Sequence, residues 1–202
     1  RRERFQREAR TAAQISHGNV MAIYDLGSAS LPDSNDSVEF IVMEYIKGVS
    51  LSDYLQARPH DISVALRLAE KIASGLAAAH KMKVVHRDIK AEHILIDEEE
   101  QPKILDCGLA KPVDPVQFGG INTGTKTVSQ ELTRAGKILG TVTYMSPEQV
   151  KGEPLDTRSD VFSFGVLLYR MVTGEYPFAG QTQVSTLAKI LETRHEPPHV
   201  RN

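Results

Sequence analysis

The stretch HRDIKAEHILI, residues 86–96, decides how this chain is read. It sets His86, Arg87, Asp88 and Lys90 within five positions and then runs into the aliphatic Ile94-Leu95-Ile96. Charge is costly to bury unpaired, so such a cluster beside a core strand asks for a reason. One reason is a solvated turn that leads into a buried strand. The other is a catalytic loop, with Asp88 as base and Lys90 as its electrostatic partner. The surrounding sequence has to choose between them.

Composition narrows the field first. The chain has 202 residues, 41% of them hydrophobic, and a formal net charge of -2, which fits a globular chain of one domain or two small lobes. The near-neutral balance carries no basic footprint for nucleic acid. The single cysteine, Cys107, rules out an internal disulfide and fits a reducing compartment. The charged run Arg1–Arg10 does not resemble a signal peptide. The apolar run Val161–Val172 is broken by Ser163, Gly165 and Arg170, so no membrane contact is expected from this segment.

Outward from the opening stretch, periodicity marks the elements. Phe5, Ala9 and Ala12 share a helical face, and His17-Gly18-Asn19 ends that helix. Val20–Leu26 and Val38–Ile46 read as strands of an antiparallel pair, with a polar loop from Gly27 to Ser37. A short helix begins at Ser50 and is ended by Pro59. Ala65, Leu68, Ile72, Leu76 and Ala79 stripe a long helix that delivers the chain to Val84-Val85 and the charged loop. Ile94–Ile96 and Lys103–Leu105 read as a small hairpin around the acidic turn 97–101. Residues 111–137 lack periodicity and read as a long exposed loop. Thr157 with Asp160 predicts a capping box opening a helix over Val161–Val172, the expected centre of the core, which Gly174 ends. Val184, Leu187 and Leu191 predict a last amphipathic helix before Pro197-Pro198.

Two carboxylates now fall on either side of the expected hairpin, Asp88 before it and Asp106 after it. A hairpin would return Asp106 towards Asp88. Two carboxylates with a lysine suit phosphoryl transfer: one orients a hydroxyl nucleophile, one holds Mg²⁺, and the lysine offsets developing charge. A lone pair of aspartates is more often a pair of turn residues.

The chain resembles a eukaryotic-type protein kinase along nearly its whole length. HRDIKAEHILI is similar to the kinase catalytic loop, DCGLAK to the metal-binding DFG segment, MSPE to the APE end of the activation segment, and DVFSFGVLLYRMVTGEYPF to the helix that follows. The order Asp88, Asp106, Glu148, Asp160 is the family's. The run GTVTYMSPEQVKGEPLDTRSDVFSFG looks most like bacterial serine/threonine kinases. The resemblance implies an α+β two-lobe fold. Residues 1–46 would be a partial small lobe of helix C, two antiparallel strands and the hinge, and 47–202 a mostly helical large lobe without its last helices.

The resemblance also implies roles. Asp88 would be the catalytic base, Lys90 the contact to the transferred phosphate, and Asp106 a Mg²⁺ ligand. Glu8 would pair with the nucleotide-binding lysine. Met43 would be the gatekeeper, Glu44, Tyr45 and Ile46 the hinge whose main-chain groups meet the adenine of ATP, and Leu95 a further cofactor-binding position. His86 would pack inside and Asp160 would brace the catalytic loop. Glu148 would pair with an arginine from helices beyond residue 202. Arg87 would meet a phosphate on the activation loop, where Thr123, Thr125, Thr127, Ser129 and Thr133 are the candidates and self-association would allow phosphorylation in trans. Thr141 and Lys90 favour Ser/Thr acceptors on protein substrates. A cytoplasmic kinase domain is implied, with any membrane anchor in flanks outside this chain.

Three departures from the family qualify this expectation. No glycine-rich loop or paired lysine is present, so the 202 residues read as part of a larger kinase domain that on their own bind ATP poorly. His93 stands where the family has a metal-binding asparagine; imidazole prefers softer ions than Mg²⁺. Cys107 replaces a phenylalanine and reads as buried and inert. A pseudokinase or binding scaffold is therefore the alternative to a phosphotransferase. His17, His60, His80, His195 and His199 show no convergent partners in the sequence.

Overall fold

A computed structural model describes residues 9–30, 37–58, 61–107, 142–192 and 195–201. The expected helix over Phe5–Ala12 is described only at its end, where 9–12 are helical with Ala9 and Ala12 buried. Two compact units form, one of residues 1–87 with 91–109, the other of 88–90 with 110–202.

In the first unit, strands β1 (Ile23–Ser30) and β2 (Ser37–Met43) pair antiparallel, from Ile23 opposite Met43 to Ser30 opposite Ser37. The pairing is the expected one, but the bounds shift. Gly27–Ser30, read as loop from their composition, are strand because the ladder with Ser37–Phe40 satisfies their main chain. β2 in turn ends at Met43, short of Ile46. Val20 is not in β1 but makes a single parallel bridge to Ile104.

A second sheet has the order β3–β4–β5, with β3 (Gly48–Ser50), β4 (Ile94–Asp97) and β5 (Pro102–Ile104), all antiparallel. Sequence reading missed β3, three residues between a loop and a helix. Gly48 makes it possible: a Cβ there would lie 2.2 Å from the Ile96 carbonyl oxygen. Helix α1 (Leu51–Ala57) starts on the N-cap Ser50, whose Oγ accepts the Asp53 N–H, and α2 (Ile62–Lys81) starts on Asp61, whose carboxylate accepts from Ser63 and Val64. α2 buries Ala65, Leu68, Ile72, Leu76 and Ala79, the stripe read from the sequence. It packs on β5, and Ile94, Ile96 and Ile104 of the sheet are buried.

In the second unit, α3 (Pro147–Lys151) carries a capping box between Ser146 and Gln149 and ends on left-handed Gly152. α4 (Thr157–Thr173) is the expected apolar helix, ended by Gly174 at φ 78°. Its cap differs from expectation. Asp156, not Thr157, is the N-cap and accepts the Arg158 N–H, while Asp160 is 1% exposed inside the unit. Asp156 wins because its extended backbone sets its carboxylate beside the first N–H groups. Only one face of α4 is core: Val166, Leu167, Tyr169 and Met171 are buried, while Val161 is exposed. α5 (Gln183–Glu192) and the short α6 (Pro198–Arg201) follow. Among the described residues no helix is long and apolar enough to cross a membrane.

Replacing Gly48 by alanine forces a methyl group into the β4 main chain, and the partner backbone cannot yield as a side-chain tip would. We expect Gly48→Ala to lose about 2 kcal/mol or more in urea unfolding. A loss under about 0.5 kcal/mol would show that β3 and β4 separate readily.

Candidate active site

The motif stretch is built in three pieces. α2 ends at Lys81 with Met82 as its C-cap, Lys83 turns the chain at φ 59°, and Val84 and His86 return it to the interior. His86 is 1% exposed, and its Nε2 lies 2.7 Å from the Leu105 carbonyl oxygen. A carbonyl only accepts, so Nε2 carries the proton. The Leu105 N–H in turn donates to the His93 carbonyl at 2.9 Å. Leu105 is thus held on both sides, by the residue that precedes Arg87 and by the last residue of the helical turn Ala91–His93. The His86 and His93 rings lie 6.1 Å apart, centre to centre.

The residues that follow these bonds are conformationally costly. Arg87 adopts φ 70° and Asp106 φ 55°, the left-handed region. For residues with a Cβ this costs about 1–2 kcal/mol each and persists only where neighbours over-determine the backbone. Buried His86 precedes Arg87, and Asp106 lies between the bonded Leu105 and Cys107, which is a free thiol at 5% exposure. Cys107 is buried, as expected.

Asp88 and Lys90 belong to the second unit and are brought together: Nζ lies 2.8 Å from Oδ2, with side chains 14% exposed for Lys90 and 27% for Asp88. Ile89 between them is buried at 1% exposure. The arrangement is a positioned carboxylate held by a charge-assisted hydrogen bond. In the same unit Asp160 is buried, and among the described residues no buried side-chain nitrogen or oxygen lacks a partner.

In the first unit Met43 ends β2 and is partly exposed, Tyr45 is 89% exposed, and Ile46 and Leu95 are half-buried. The Glu44 N–H is committed to the Ala22 carbonyl at 2.9 Å, so that donor is not offered to a ligand. Its side chain also has a task that sequence reading missed: Oε1 lies 2.5 Å from Lys103 Nζ and Oε2 accepts the Ala22 N–H at 3.1 Å. Lys103 and Glu44 stand 59 positions apart, and no local pattern links them.

Glu148 accepts a hydrogen bond from the Ser159 hydroxyl at 2.5 Å. Burial pushes its carboxyl pKa up, but the Ser159 hydroxyl and main-chain donors hold it below the usual carboxylate value. Tyr144 is 2% exposed; its carbonyl accepts from Ser163 at 2.7 Å and its hydroxyl accepts from Arg170 at 2.8 Å. Two of the histidines without convergent partners in the sequence make side-chain contacts. His17 lies 3.1 Å from the Ser74 hydroxyl and accepts the Asn19 N–H, and His195 sets its ring edge to face against Tyr169 and Phe178. Both roles are structural. Glu8, His60, Thr123, Thr125, Thr127, Ser129, Thr133 and Thr141 lie outside the described residues.

Among the described residues no group of three or more His, Cys, Asp or Glu side chains is placed to hold a metal by itself. Mg²⁺ shared with phosphates needs only one or two carboxylates from the protein, so Asp106 fits as its donor; the His93 imidazole suits it poorly.

These features, in this order, are those of a protein kinase. The protein kinase domain family matches residues 1–201, and the chain belongs to that family, with its α+β fold. It is 37% identical over 190 residues to the serine/threonine-protein kinase PrkC of Bacillus subtilis, covering 94% of this chain and 26% of that protein. It is 38% identical over 200 residues to the serine/threonine-protein kinase pkn3 of Myxococcus xanthus, covering 96% and 34%. With PknB of Mycolicibacterium smegmatis the identity is 36% over 203 residues, covering 98% and 30%. The chain therefore spans about a quarter to a third of these relatives' length.

The Glu148–Ser159 bond has a pH signature. A carboxyl whose folded pKa is depressed contributes stability above its unfolded pKa, and that contribution is lost as pH falls through the folded value. Ser159→Ala is expected to cost about 1–2 kcal/mol at pH 7. Its deficit relative to wild type should shrink as the pH falls below about 4.5, the ordinary value. A deficit constant from pH 7 to pH 3 would remove Glu148 as the cause.

Proposed function

We propose that this chain is part of the catalytic domain of a serine/threonine protein kinase, which transfers the γ-phosphoryl group of ATP to Ser or Thr hydroxyls of proteins. The observation that carries the reading is the Asp88–Lys90 pair at 2.8 Å, inside the loop where the family keeps its base. Lys90 holds Oδ2 and so sets the rotation of the carboxylate, which lets Asp88 orient an acceptor hydroxyl and take its proton. The Lys90 ammonium would offset charge on the phosphate being transferred. Asp106 would hold Mg²⁺, which when bound neutralises phosphate charge. The main-chain carbonyl of Glu44 and the main chain of Tyr45 and Ile46, with Met43 and Leu95, would meet adenine, and Glu8 would pair with a nucleotide-binding lysine.

Protein substrates follow from the family, and the Ser/Thr preference rests on Lys90 and on Thr141 in GTVTYMSPE. A cytoplasmic catalytic domain fits this reading. The second reading, a pseudokinase or scaffold, is favoured by His93 alone; a scaffold has no need of Asp88, Lys90, Asp106 and Arg87 together. Transfer of radiolabelled γ-phosphate by the full-length protein, with Asp88→Asn as control, separates the two. We expect the substitution to lower transfer at least a hundredfold. Equal labelling by both proteins would overturn the kinase reading.

Arg87 adds a regulatory expectation: a phosphate on Thr123, Thr125, Thr127, Ser129 or Thr133 would pair with its guanidinium and order the segment. After incubation with Mg-ATP, mass spectrometry should find at least one of these five residues phosphorylated in wild type and none in Asp88→Asn. An unmodified segment in an active protein would exclude this control.

A further inference from the structure

The Glu44–Lys103 ion pair does more than neutralise two charges. Glu44 opens the three-residue segment assigned to adenine, and three of its atoms are tied down. Its N–H donates to the Ala22 carbonyl, Oε2 accepts the Ala22 N–H, and Oε1 meets the Lys103 ammonium at 2.5 Å. Both side chains are largely withdrawn from water, 18% exposed for Lys103 and 24% for Glu44. Burial and nearby Asp97 push the Glu44 carboxyl pKa up, yet the Lys103 ammonium and the Ala22 N–H hold it below its usual value. The carboxylate is therefore in the paired, ionised form.

The other end of the pair is just as firmly seated. Lys103 is the middle residue of β5, and the residues on each side of it are gripped. Asn19 Nδ2 donates to the Pro102 carbonyl at 2.8 Å, the Ile104 N–H donates to the Asn19 carbonyl, and the Met21 N–H donates to the Ile104 carbonyl, both at 2.9 Å. Two residues beyond Lys103 comes Leu105, held by His86 and His93, and then Asp106. Lys103 thus stands between a fixed adenine segment and the carboxylate assigned to the metal.

We propose that Lys103 is a positioning residue for nucleotide, holding the adenine segment Glu44–Ile46 in register with Asp106. This rests on the kinase reading above. A ligand that engages both ends at once gains from their fixed separation, as two linked binding events gain from a short rigid connection. A ligand that engages only one end gains nothing from it. Lys103 touches neither end of the ligand; it acts through Glu44 and β5.

The test is calorimetric binding to the full-length protein in the presence of Mg²⁺, using a non-hydrolysable ATP analogue, adenosine and inorganic triphosphate as probes. Lys103→Met is expected to weaken the ATP analogue about tenfold while adenosine and triphosphate each change less than about twofold. Lys103→Arg, which keeps the ion pair, should bind the analogue like wild type, and the exchanged pair Glu44→Lys with Lys103→Glu should recover most of the loss. Thermal unfolding of each variant separates this from a failure to fold; if Lys103→Met does not fold, Glu44→Gln replaces it with the same expectation. Unchanged analogue affinity, or equal weakening of all three probes, overturns the proposal. If wild type binds none of the probes, the kinase reading falls and this inference with it; if wild type binds and the variant binds equally, this inference alone falls.

Discussion

The main chain of Leu105 is the constraint on which the motif residues of the first unit depend. A buried peptide group has to find partners inside the protein. Leu105 finds one in the His93 carbonyl and one in the His86 ring, at 2.9 and 2.7 Å. Those two bonds draw together the chain before Arg87, the turn Ala91–His93 and the strand that feeds Asp106. They also explain how two non-glycine residues remain left-handed: Arg87 and Asp106 each follow directly on a bonded residue and cannot relax without breaking it. Losing either bond would leave a buried polar group unpaired, which costs more than a hydrogen bond contributes when made.

The strands concerned are very short, and a three-residue strand has little intrinsic stability. β5 is secured from outside its sheet, by Asn19 and Met21 on its main chain and by Glu44 on its side chain. The turn at the far end of the β4–β5 hairpin is secured too. Glu100 accepts from Tyr54, Arg58 and Arg67, with Arg58 stacked over the Tyr54 ring. Exposed ion pairs of this kind contribute little to stability singly. Here they fix a turn whose Glu100 is itself left-handed, at φ 56°. The hairpin is pinned at both ends, and the site's geometry is inherited from those anchors.

The second unit follows the same rule with other means. Tyr144 is held at its carbonyl by Ser163 and at its hydroxyl by Arg170, whose guanidinium also lies over the Tyr176 ring. Burial pushes the Tyr144 hydroxyl pKa upward, so it stays protonated. The capping box of Ser146 and Gln149 and the Glu148–Ser159 bond then fix α3 immediately beyond it. In both units a short, irregular piece of chain is made rigid by side chains from longer helices or from remote strands.

Much of this was legible in the sequence, and the division is physical. Periodicity displayed the long helices, because a helix that buries one face repeats its apolar residues every three or four positions, as α2 does from Ala65 to Ala79. Local chemistry displayed the motif residues, since four ionisable groups before an apolar strand stand out against any ordinary loop. What periodicity cannot display is pairing at a distance. Gly27–Ser30 became strand through its ladder with β2, β3 through the close approach of Gly48 to β4, and the α4 cap moved to Asp156 through the geometry of a single backbone turn. Glu44 and Lys103, 59 residues apart, met only because two strands and a loop converge. The sequence by itself determined the elements and the chemistry on offer, because both are written in neighbouring residues. Only the tertiary structure decided which distant groups share a bond, because burial obliges each polar group to take a partner wherever the fold supplies one.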